Sequence, residues 1–512
     1  MVTERGNLSR RTLLAGLLAS AAAPAIARPP ERSLIPEARP RTFDATTPAQ
    51  AAEALPIRRP GAGLAEMLQR SGLSGDTGLI ALDAETGAVI EEHRANLRLP
   101  PASTAKAVTS LYALQTLGAG HRFVTRVLAQ GGTIQDGTLR GDLILKGGGD
   151  PMLQTSDLAR LADALIEQGL RRVEGRFFVD ATSLPTVREI DDTQPVQAGY
   201  NPSVSGINLN FNRVHFAWDV QGGRPTVSMD ARSNREIPPV SVIDMRAVSR
   251  DLPVYTHEFS AHRERWTVAG TALRSSGSRW LPVRRPAAYA GDVLRALLSA
   301  RGCRVPEPRV SRAGLGGTVL AEHRSAPLET IVRGMLRFST NLTAEALGLS
   351  ATKQNGHRAR TLRSSADRMN AWMASEHGAQ GVNFVDHSGL GDASRVSARA
   401  LATYMRSAWG PGALRGVLRE HPLRDANGSQ QRNHPITVHA KTGTLNFVSA
   451  LTGYAEPRGG RPIVFAILSA DLDRRRAIRD TQTERPAGTR AWTRRARSLQ
   501  QDLIRRWGQA EG

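Results

Sequence analysis

The sequence predicts an α+β protein in which the two ends of the chain form one sheet-and-helix domain around a large insertion. A chain of 512 residues is too long for a single hydrophobic core, so two or three domains are expected. Helical and strand-like segments alternate near both ends, whereas strand-like runs dominate the middle of the chain, about residues 122–310. No internal repeat accounts for the length.

The N-terminus has the features of an export signal. An apolar run at 13–19 follows Arg10-Arg11, and small residues lead to a cleavage site of the A-x-A type at 25–27. The segment 9–14 also resembles a twin-arginine signal, which addresses folded proteins; a general secretory signal that contains two arginines is the alternative. We expect a periplasmic protein. No stretch approaches the ~20 apolar residues of a membrane span, so we expect the mature protein to be soluble.

The remaining boundaries follow from local patterns. A segment rich in Pro, Arg and Ala precedes the first regular elements, which is typical of a tether. A β-hairpin is predicted at 78–90, and a helix begins after Pro100-Pro101. The predicted division is export signal 1–27, tether 28–60, sheet-and-helix domain 61–121, insertion 122–204, nested third domain 205–270, second part of the insertion 271–310, and second part of the sheet-and-helix domain 311–512.

The last third of the chain completes the sheet-and-helix domain. The final helix carries an apolar stripe opposite a row of arginines, and packing on the protein's own sheet is favoured over peripheral contact with a membrane. The predicted elements are helices at 328–336, 342–351, 362–376, 398–409 and 491–507, with strands at 437–440, 448–454 and 463–468.

The net charge is +21 and the pI is about 11.2, which indicates an anionic partner. A nucleic acid is disfavoured because the arginines are spread along the chain, aromatic residues make up only 5%, and the protein is exported. The cell wall or a membrane surface fits better. Cys303 is the only cysteine, so an intramolecular disulfide and a cysteine-based metal site are excluded, and we expect a small buried hydrophobic residue there.

Lysine is scarce in this chain. Only four of its 68 basic residues are lysine, namely Lys106, Lys146, Lys353 and Lys441. Where a positive charge is sufficient, the sequence uses arginine. A retained lysine therefore suggests a task that needs an amine able to lose its proton.

Ser103 and Lys106 form a candidate catalytic pair. They lie three residues apart at the start of a predicted helix, and residues with this spacing share one helix face. A serine hydroxyl needs a neighbouring base to act as a nucleophile, and a desolvated lysine can supply it. The S-x-x-K pattern alone is common in unrelated proteins.

Two further short motifs carry suitable groups. Ser339 offers a hydroxyl for proton transfer and Asn341 an amide for a substrate backbone, although a helix N-cap explains the same tripeptide. In the segment Lys441-Thr442-Gly443, the amine supplies charge, the hydroxyl can bind a carboxylate, and glycine permits close backbone approach. A strand start with an exposed lysine is the structural alternative.

In this order, S-x-x-K, S-x-N and K-T-G resemble the signature of penicillin-binding proteins and serine β-lactamases. Ser339 follows Ser103 by 236 positions, an unusually long separation. It resembles that of the D-alanyl-D-alanine carboxypeptidase/endopeptidase family, the class C low-molecular-mass penicillin-binding proteins (peptidase family S13). The segments 147–153 (GGGDPML) and 386–390 (DHSGL) are similar to two loops of that family. The resemblance covers about residue 60 to the C-terminus.

The resemblance implies a five-stranded antiparallel sheet between helices, with a nested insertion. It also implies that Ser103 attacks the carbonyl before a terminal D-alanine or at a cross-link of peptidoglycan, with Lys106 as the base. Ser339 would relay a proton with the support of Lys441, while Asn341 and Thr442 would hold the substrate. The backbone N–H groups of Ser103 and Thr444 would form the oxyanion hole. β-Lactam antibiotics should acylate Ser103, and neither a metal nor a cofactor is expected.

The sequence departs from the family pattern in the 386–390 loop. His387 stands where the family usually has glycine, and Gly391-Asp392 follows where Ser-Arg is frequent. In relatives an arginine of this loop and the aspartate of the G-D-P turn are associated with the side chain of the substrate's diamino acid. Asp150 retains the aspartate position, and Arg395 is the nearest arginine candidate.

Two other functions remain open from the sequence. A serine β-lactamase would need a group that activates the deacylating water, and Ser339 argues against the version that uses a tyrosine in the second motif. A non-enzymatic basic protein that binds the cell wall would account for the charge but not for the motifs.

Overall fold

The structure, a computed structural model, describes residues 62–260, 263–410, 414–425, 429–431, 433–478 and 483–509. The predicted export signal at 1–27 and the tether at 28–60 lie outside these residues.

Helices and strands follow the predicted alternation, and the helices and strands predicted in the last third are confirmed to within a few residues. The helices are α1 (Ala62–Arg70), α2 (Ala105–Leu117), α3 (Thr155–Glu167), α4 (Pro286–Ala300), α5 (Leu328–Phe338), α6 (Asn341–Gln354), α7 (Leu362–His377), α8 (Ala398–Ser407), α9 (Leu472–Ala477) and α10 (Thr489–Gln509). The strands are β1 (Asp76–Asp83), β2 (Val89–His93), β3 (Arg98–Leu99), β4 (Val124–Gln130), β5 (Ile134–Gln135), β6 (Thr138–Leu139), β7 (Asp142–Lys146), β8 (Arg172–Val173), β9 (Phe177–Asp180), β10 (Arg213–Gln221), β11 (Arg224–Asp230), β12 (Ile243–Val248), β13 (Tyr255–Phe259), β14 (Glu264–Ala269), β15 (Gly277–Pro282), β16 (Pro308–Val310), β17 (Thr318–Arg324), β18 (Val396–Ser397), β19 (Ile436–Leu445), β20 (Val448–Pro457) and β21 (Ile463–Ala470).

The main sheet joins the two ends of the chain. Its strand order is β19-β20-β21-β1-β2, and all four pairings are antiparallel. Strand β1 pairs with β21 along its whole length, from Asp76 opposite Ala470 to Asp83 opposite Ile463. The predicted α+β fold with a five-stranded antiparallel sheet is therefore confirmed.

Helices cover both faces of this sheet. Successive side chains of a strand point to opposite faces, so Ile80 and Leu82 of β1 pack with α2 and α8, while Leu79 and Ala81 pack with α10. This burial explains why β1 and β21 are nearly continuous apolar runs.

Helix α2 lies inside the domain. Its first nine residues are all buried, so its polar groups, Lys106 included, need partners within the protein. The helix begins directly after a short 3-10 turn at Ala102–Thr104, which follows Pro100-Pro101. Ser103 therefore lies at the start of a helix, directly after a proline break, as predicted.

The insertion has its own sheets and one shared hydrophobic core. A mixed sheet has the order β16-β9-β7-β4-β17, and two three-stranded sheets, β11-β10-β15 and β12-β14-β13, form the nested part. Strand β17 pairs with β4, so the sheet of the insertion continues past residue 310, where the sequence analysis ended it. Strand β15 likewise extends the nested sheet past residue 270.

The apolar stripe of α10 packs on the main sheet, as the sequence analysis favoured. Trp492, Leu503 and Trp507 are buried, and the Trp507 ring lies 6.0 Å from that of Phe465 on β21. Cys303 is buried, as expected. Among the described residues, no helix is both long enough and apolar enough to cross a membrane.

Candidate active site

Ser103 lies where two glycine-containing segments press on the backbone. Gly443 of β19 is so close that a Cβ there would lie 2.7 Å from Pro101 O and 3.0 Å from Ser103 N. On the other side, a Cβ on Gly389 would lie 1.8 Å from Ala102 O. Ala102 has a φ of 46°, a left-handed conformation that is strained for alanine. The turn before Ser103 is therefore held in place from both sides.

Lys106 has three partners for its amine. Its Nζ lies 2.9 Å from Ser103 Oγ, 2.6 Å from Asn341 Oδ1 and 2.8 Å from Ser388 O. The side chain is fully buried, and this burial lowers the pKa of Lys106 to about 8 although the charges of Glu345 and Asp386 act in the opposite direction.

The geometry matches a neutral amine acting as a base. A carbonyl oxygen and an amide oxygen can only accept hydrogen bonds, so they take the two N–H groups of a neutral amine. The lone pair of the nitrogen is then left for the hydroxyl of Ser103. With a pKa near 8, roughly one tenth of Lys106 is neutral at pH 7.

The second motif connects helices α5 and α6. Ser339 has a left-handed backbone with a φ of 58°, and Asn341 is the first residue of α6. Lys441 Nζ lies 3.1 Å from Ser339 Oγ and donates to Thr442 O at 2.7 Å. Lys441 is 2% exposed, and burial together with the charges of Lys106 and Arg419 holds the pKa of Lys441 well below its usual range. The structural alternative for the third motif, a strand start with an exposed lysine, is therefore wrong.

The third motif lies within β19, whereas the sequence analysis placed it at a strand start. Alternation along the strand directs Lys441 and Gly443 inward and leaves Thr442 and Thr444 exposed. Arg497 of α10 is also exposed, and its Nη2 donates to Thr444 Oγ1 at 3.3 Å. A cation is therefore placed beside the threonine pair.

The loop whose Ser388 carbonyl contacts Lys106 is held by a buried glutamate of α6, which was not predicted from the sequence. The carboxylate of Glu345 accepts the backbone N–H groups of His387 and Ser388, both at 2.9 Å. Asp386 accepts those of Gly389 and Gly391. Both acids are buried, which raises the pKa of Glu345 and of Asp386. A glutamate four residues after Asn341 in an apolar helix was the available signal.

His387 fills space beneath this loop. Its ring packs on Gly348, where a Cβ would lie 2.1 Å from His387 Cγ, and its Nε2 lies 2.8 Å from Ser365 Oγ. Burial lowers the pKa of His387 to about 3, so the ring is neutral. The departure from the family's glycine is thus accommodated by the absence of a side chain at Gly348.

The insertion contributes one wall of the site. The carbonyl of Tyr200 accepts a hydrogen bond from Asn341 Nδ2 at 2.8 Å. This contact occupies the amide donor that the sequence analysis assigned to the substrate. Nothing in the local sequence around Tyr200 indicates it, because it depends on the packing of two distant segments.

The structure brings eight of the ten predicted site residues together: Ser103, Lys106, Ser339, Asn341, Lys441, Thr442, Gly443 and Thr444. Asp150 and Arg395 are engaged elsewhere. Asp150 accepts from Met152 N at 2.8 Å and lies 3.6 Å from His323 Nε2. Arg395 donates to Asp392 O and Ser394 O of its own loop.

The arrangement is suited to acyl transfer. A serine hydroxyl faces an amine of lowered pKa, a second serine–lysine pair lies nearby, and backbone N–H groups of a helix start and a strand edge flank the nucleophile. Within the described ranges no group of three or more His, Cys, Asp or Glu side chains is placed to hold a metal ion.

Comparison with known sequences identifies similar proteins. The model of the D-Ala-D-Ala carboxypeptidase 3 (S13) family matches residues 61–487. A D-alanyl-D-alanine carboxypeptidase of Actinomadura sp. is 27% identical over 433 residues, 77% of each chain. The carboxypeptidase DacB of Mycolicibacterium smegmatis is 26% identical over 467 residues, 85% of each chain.

A solved structure has a similar fold. Penicillin-binding protein 4 of Haemophilus influenzae superimposes with a TM-score of 0.69 at 20% identity, over 87% of this chain and all of that one. A second structure of that protein, in complex with a β-lactam, gives a TM-score of 0.65 at the same identity and coverage.

Proposed function

Since the chain belongs to the D-Ala-D-Ala carboxypeptidase 3 (S13) family, we propose that it cleaves peptidoglycan stem peptides and cross-links through an acyl-enzyme at Ser103. The predicted family and enzyme class, a serine-type D-Ala-D-Ala carboxypeptidase, are confirmed by the family match and the relatives. The observation that carries the site assignment is the position of Lys106 Nζ, 2.9 Å from Ser103 Oγ with its other two partners able only to accept.

The first half of the reaction forms the acyl-enzyme. Lys106 takes the proton of Ser103 while Oγ forms a bond to the carbonyl carbon before the terminal D-alanine. The backbone N–H groups of Ser103 and Thr444 stabilise the oxyanion of the tetrahedral intermediate. As the C–N bond breaks, a proton reaches the leaving amine through Ser339, which Lys441 contacts. Water then attacks the ester, and Ser103 regains its proton.

Substrate binding uses the exposed side of β19 and the second motif. Thr442 and Thr444 face solvent on the same side of the strand and can donate to the terminal carboxylate of the substrate. Arg497 lies against Thr444 and adds a positive charge at this position. Asn341 binds the substrate amide after the carbonyl of Tyr200 has moved away from it. Asp150 and Arg395 stay the candidates for the side chain of the diamino acid.

The substrate and the β-lactam inhibitors share a reactive carbonyl and a carboxylate. A β-lactam presents a carbonyl and a carboxylate in the arrangement of the terminal dipeptide, so it acylates Ser103 in the same way. The predicted signal at 1–27 supports export to the periplasm, where peptidoglycan is found, and the +21 charge favours an anionic polymer over a neutral one.

Mapping a penicillin adduct tests the proposal. Incubation with a penicillin should add one molecule per chain. Trypsin cleaves after Arg98 and after Lys106, so it should release the adduct on the peptide 99–106. The same preparation should release D-alanine from an N-acylated D-alanyl-D-alanine peptide. An adduct on any other peptide would contradict the assignment of Ser103.

Two further outcomes separate the alternatives. Rapid, multiple turnover of a chromogenic cephalosporin would identify a β-lactamase. Binding to isolated cell walls without an adduct or D-alanine release would identify a non-enzymatic wall-binding protein.

Replacing Arg497 by glutamine is expected to raise KM for a peptide with a free terminal carboxylate by roughly 10-fold, because a charge-assisted hydrogen bond is lost. The corresponding C-terminal amide should be cleaved at an unchanged rate. Steady-state kinetics with both peptides check this prediction. Arg495→Gln is the matched control, since it removes the same charge from α10 but Arg495 contacts Gly72 O. Equal losses on both peptides would show that Arg497 does not recognise the carboxylate.

A further inference from the structure

A pocket of about 460 Å³ in the insertion has the features of a second binding site. We call it the Arg213 pocket. Its walls include Gln154, Phe211, Arg213, Arg232, Asn234 and Trp280.

One wall of the Arg213 pocket is a strained loop. Asn210, Phe211 and Asn212 have successive φ values of 51°, 59° and 49°, three left-handed residues without a glycine. Asparagine tolerates this conformation, but a phenylalanine does not adopt it without support from its surroundings. Such strain persists only where the surroundings fix the backbone.

Buried amides fix this loop. Asn210 accepts from Thr155 N at 3.0 Å and donates to Thr155 Oγ1 at 2.8 Å. Asn212 donates to Ser203 O at 2.9 Å and to Asn208 Oδ1 at 2.8 Å. The result is that Phe211 is held at the pocket rather than packed in the core, so the strain serves to place an aromatic ring there.

Arg213 has no counter-ion within the part of the chain that the structure describes. Its guanidinium carbon lies 5.2 Å from the ring centre of Phe211 and 5.7 Å from that of Trp280. Among the described residues no carboxylate pairs with Arg213, and its Nε is buried without a hydrogen-bond partner. Burial lowers the pKa of Arg213 because the charged form is desolvated. Charges that are largely removed from water are normally paired, so this half-buried guanidinium is available to an anion.

Asp230, on the adjacent strand β11, has partners other than Arg213. Asp230 is engaged by Arg232, whose Nε and Nη2 donate to its two oxygens at 2.7 and 2.6 Å. His215 Nδ1 also lies 3.5 Å from Asp230. Counting only residues that the structure describes, the pocket therefore has one uncompensated positive charge between two aromatic rings. This arrangement suits a carboxylate with an apolar stem.

The Arg213 pocket adjoins the wall of the active site. A Cβ on Gly199 would lie 2.8 Å from Trp280 O and 3.8 Å from Arg213 Cδ. The next residue, Tyr200, accepts the hydrogen bond from Asn341. A polymer bound at Ser103 can thus extend past Tyr200 towards Arg213.

We propose that the Arg213 pocket binds a free carboxylate of the peptidoglycan peptide at a distance from the cleaved bond. This inference rests on the proposed function. The carboxylate belongs either to the same stem peptide or to the peptide cross-linked to it, and the guanidinium of Arg213 binds it between Phe211 and Trp280.

Three substrates test the proposal on the full chain. The first is an N-acylated D-alanyl-D-alanine whose only carboxylate is terminal; the second is a stem pentapeptide, and the third is a cross-linked peptide dimer. Arg213→Gln should raise KM by roughly 10- to 100-fold on a substrate that reaches the pocket and leave the short substrate unchanged. A higher KM on both long substrates would show that the bound carboxylate belongs to the stem peptide that is cleaved. A higher KM on the dimer alone would show that it belongs to the peptide cross-linked to it.

Two further variants complete the test. Arg224→Gln, an exposed residue of β11 on the same sheet, removes an equal charge and should change no substrate. Arg213→Lys keeps the charge but loses the planar fork, so its KM should fall between those of the wild type and Arg213→Gln.

The kinetics distinguish failure of the pocket assignment from failure of the proposed function. Unchanged kinetics of Arg213→Gln on both long substrates, or an equal loss on all three, would overturn the pocket assignment. Equal activity of the wild type and Arg213→Gln on the short substrate shows that the variant is folded. A wild type that releases no D-alanine from the short substrate would overturn the proposed function and the pocket's ligand with it.

Discussion

Replacing Lys106 by arginine is expected to slow acylation of Ser103 by about 10²- to 10⁴-fold, the usual contribution of a general base. The positive charge is kept, but a guanidinium does not lose its proton in a protein. The decrease in the acylation rate therefore measures the loss of base catalysis and not the loss of a positive charge. The rate constant for labelling by a fluorescent penicillin is the measurement.

The pH profile gives the same test a second readout. Burial lowers the pKa of Lys106 to about 8, and only the neutral amine accepts the proton of Ser103. The wild-type rate should therefore rise as the pH increases through about 8 and level off above it, whereas Lys106→Arg should show no such rise.

Lys353→Arg is the matched control for this substitution. Lys353 is exposed and donates to Ser183 O, far from Ser103 in the fold, so the same change there should leave labelling unaltered. If Lys106→Arg labelled at nearly the wild-type rate, Lys106 would not be the base.

Replacing Glu345 by alanine is expected to lower the free energy of unfolding by about 2–6 kcal/mol. The substitution leaves the N–H groups of His387 and Ser388 buried without acceptors, and each costs about 1–3 kcal/mol. The loop then no longer holds Ser388 O against Lys106, so acylation should also slow. Urea denaturation and penicillin labelling on one preparation measure both effects.

Two further variants, a control and a conservative substitution, are compared with Glu345→Ala. Glu376→Ala removes an exposed glutamate from α7 and should change neither quantity. Glu345→Gln restores one acceptor oxygen and should recover part of the stability. Because burial raises the pKa of Glu345, the amide also imitates the protonated acid. Stability of Glu345→Ala equal to the wild type would show that the loop is held by other contacts.

The sequence predicts those parts of the site that lie close together along the chain. Ser103 and Lys106 share a helix face, and local spacing identifies them. The same holds for Ser339 and Asn341, which form the second motif. Lysine scarcity adds weight because Lys106 and Lys441 stand out among arginines. Local pattern also identifies β1 and β21 of the main sheet, because they are nearly continuous apolar runs. The five-stranded antiparallel sheet itself was predicted from the resemblance to a known family.

Contacts between distant segments could not be predicted. Tyr200 and Arg497 reach the site by packing, and no local pattern marks them. For Glu345 the one local signal was its place four residues after Asn341 in an apolar helix. The end of the insertion was placed too early because β17 belongs to its sheet only through pairing with β4, about two hundred residues away. Periodicity identifies a strand, but it does not name the partner.

The order of strands in the main sheet has a consequence for biosynthesis. Strand β1 is synthesised before the insertion, yet its neighbour β21 is Ile463–Ala470, which is synthesised after the insertion. Until then β1 and β2 form an isolated hairpin, which is marginally stable in water. Contacts of such high sequence separation form slowly and leave apolar edges exposed to aggregation. The nascent chain therefore acquires its catalytic centre only after β19, β20 and β21 have been synthesised, and a product truncated before β19 has none.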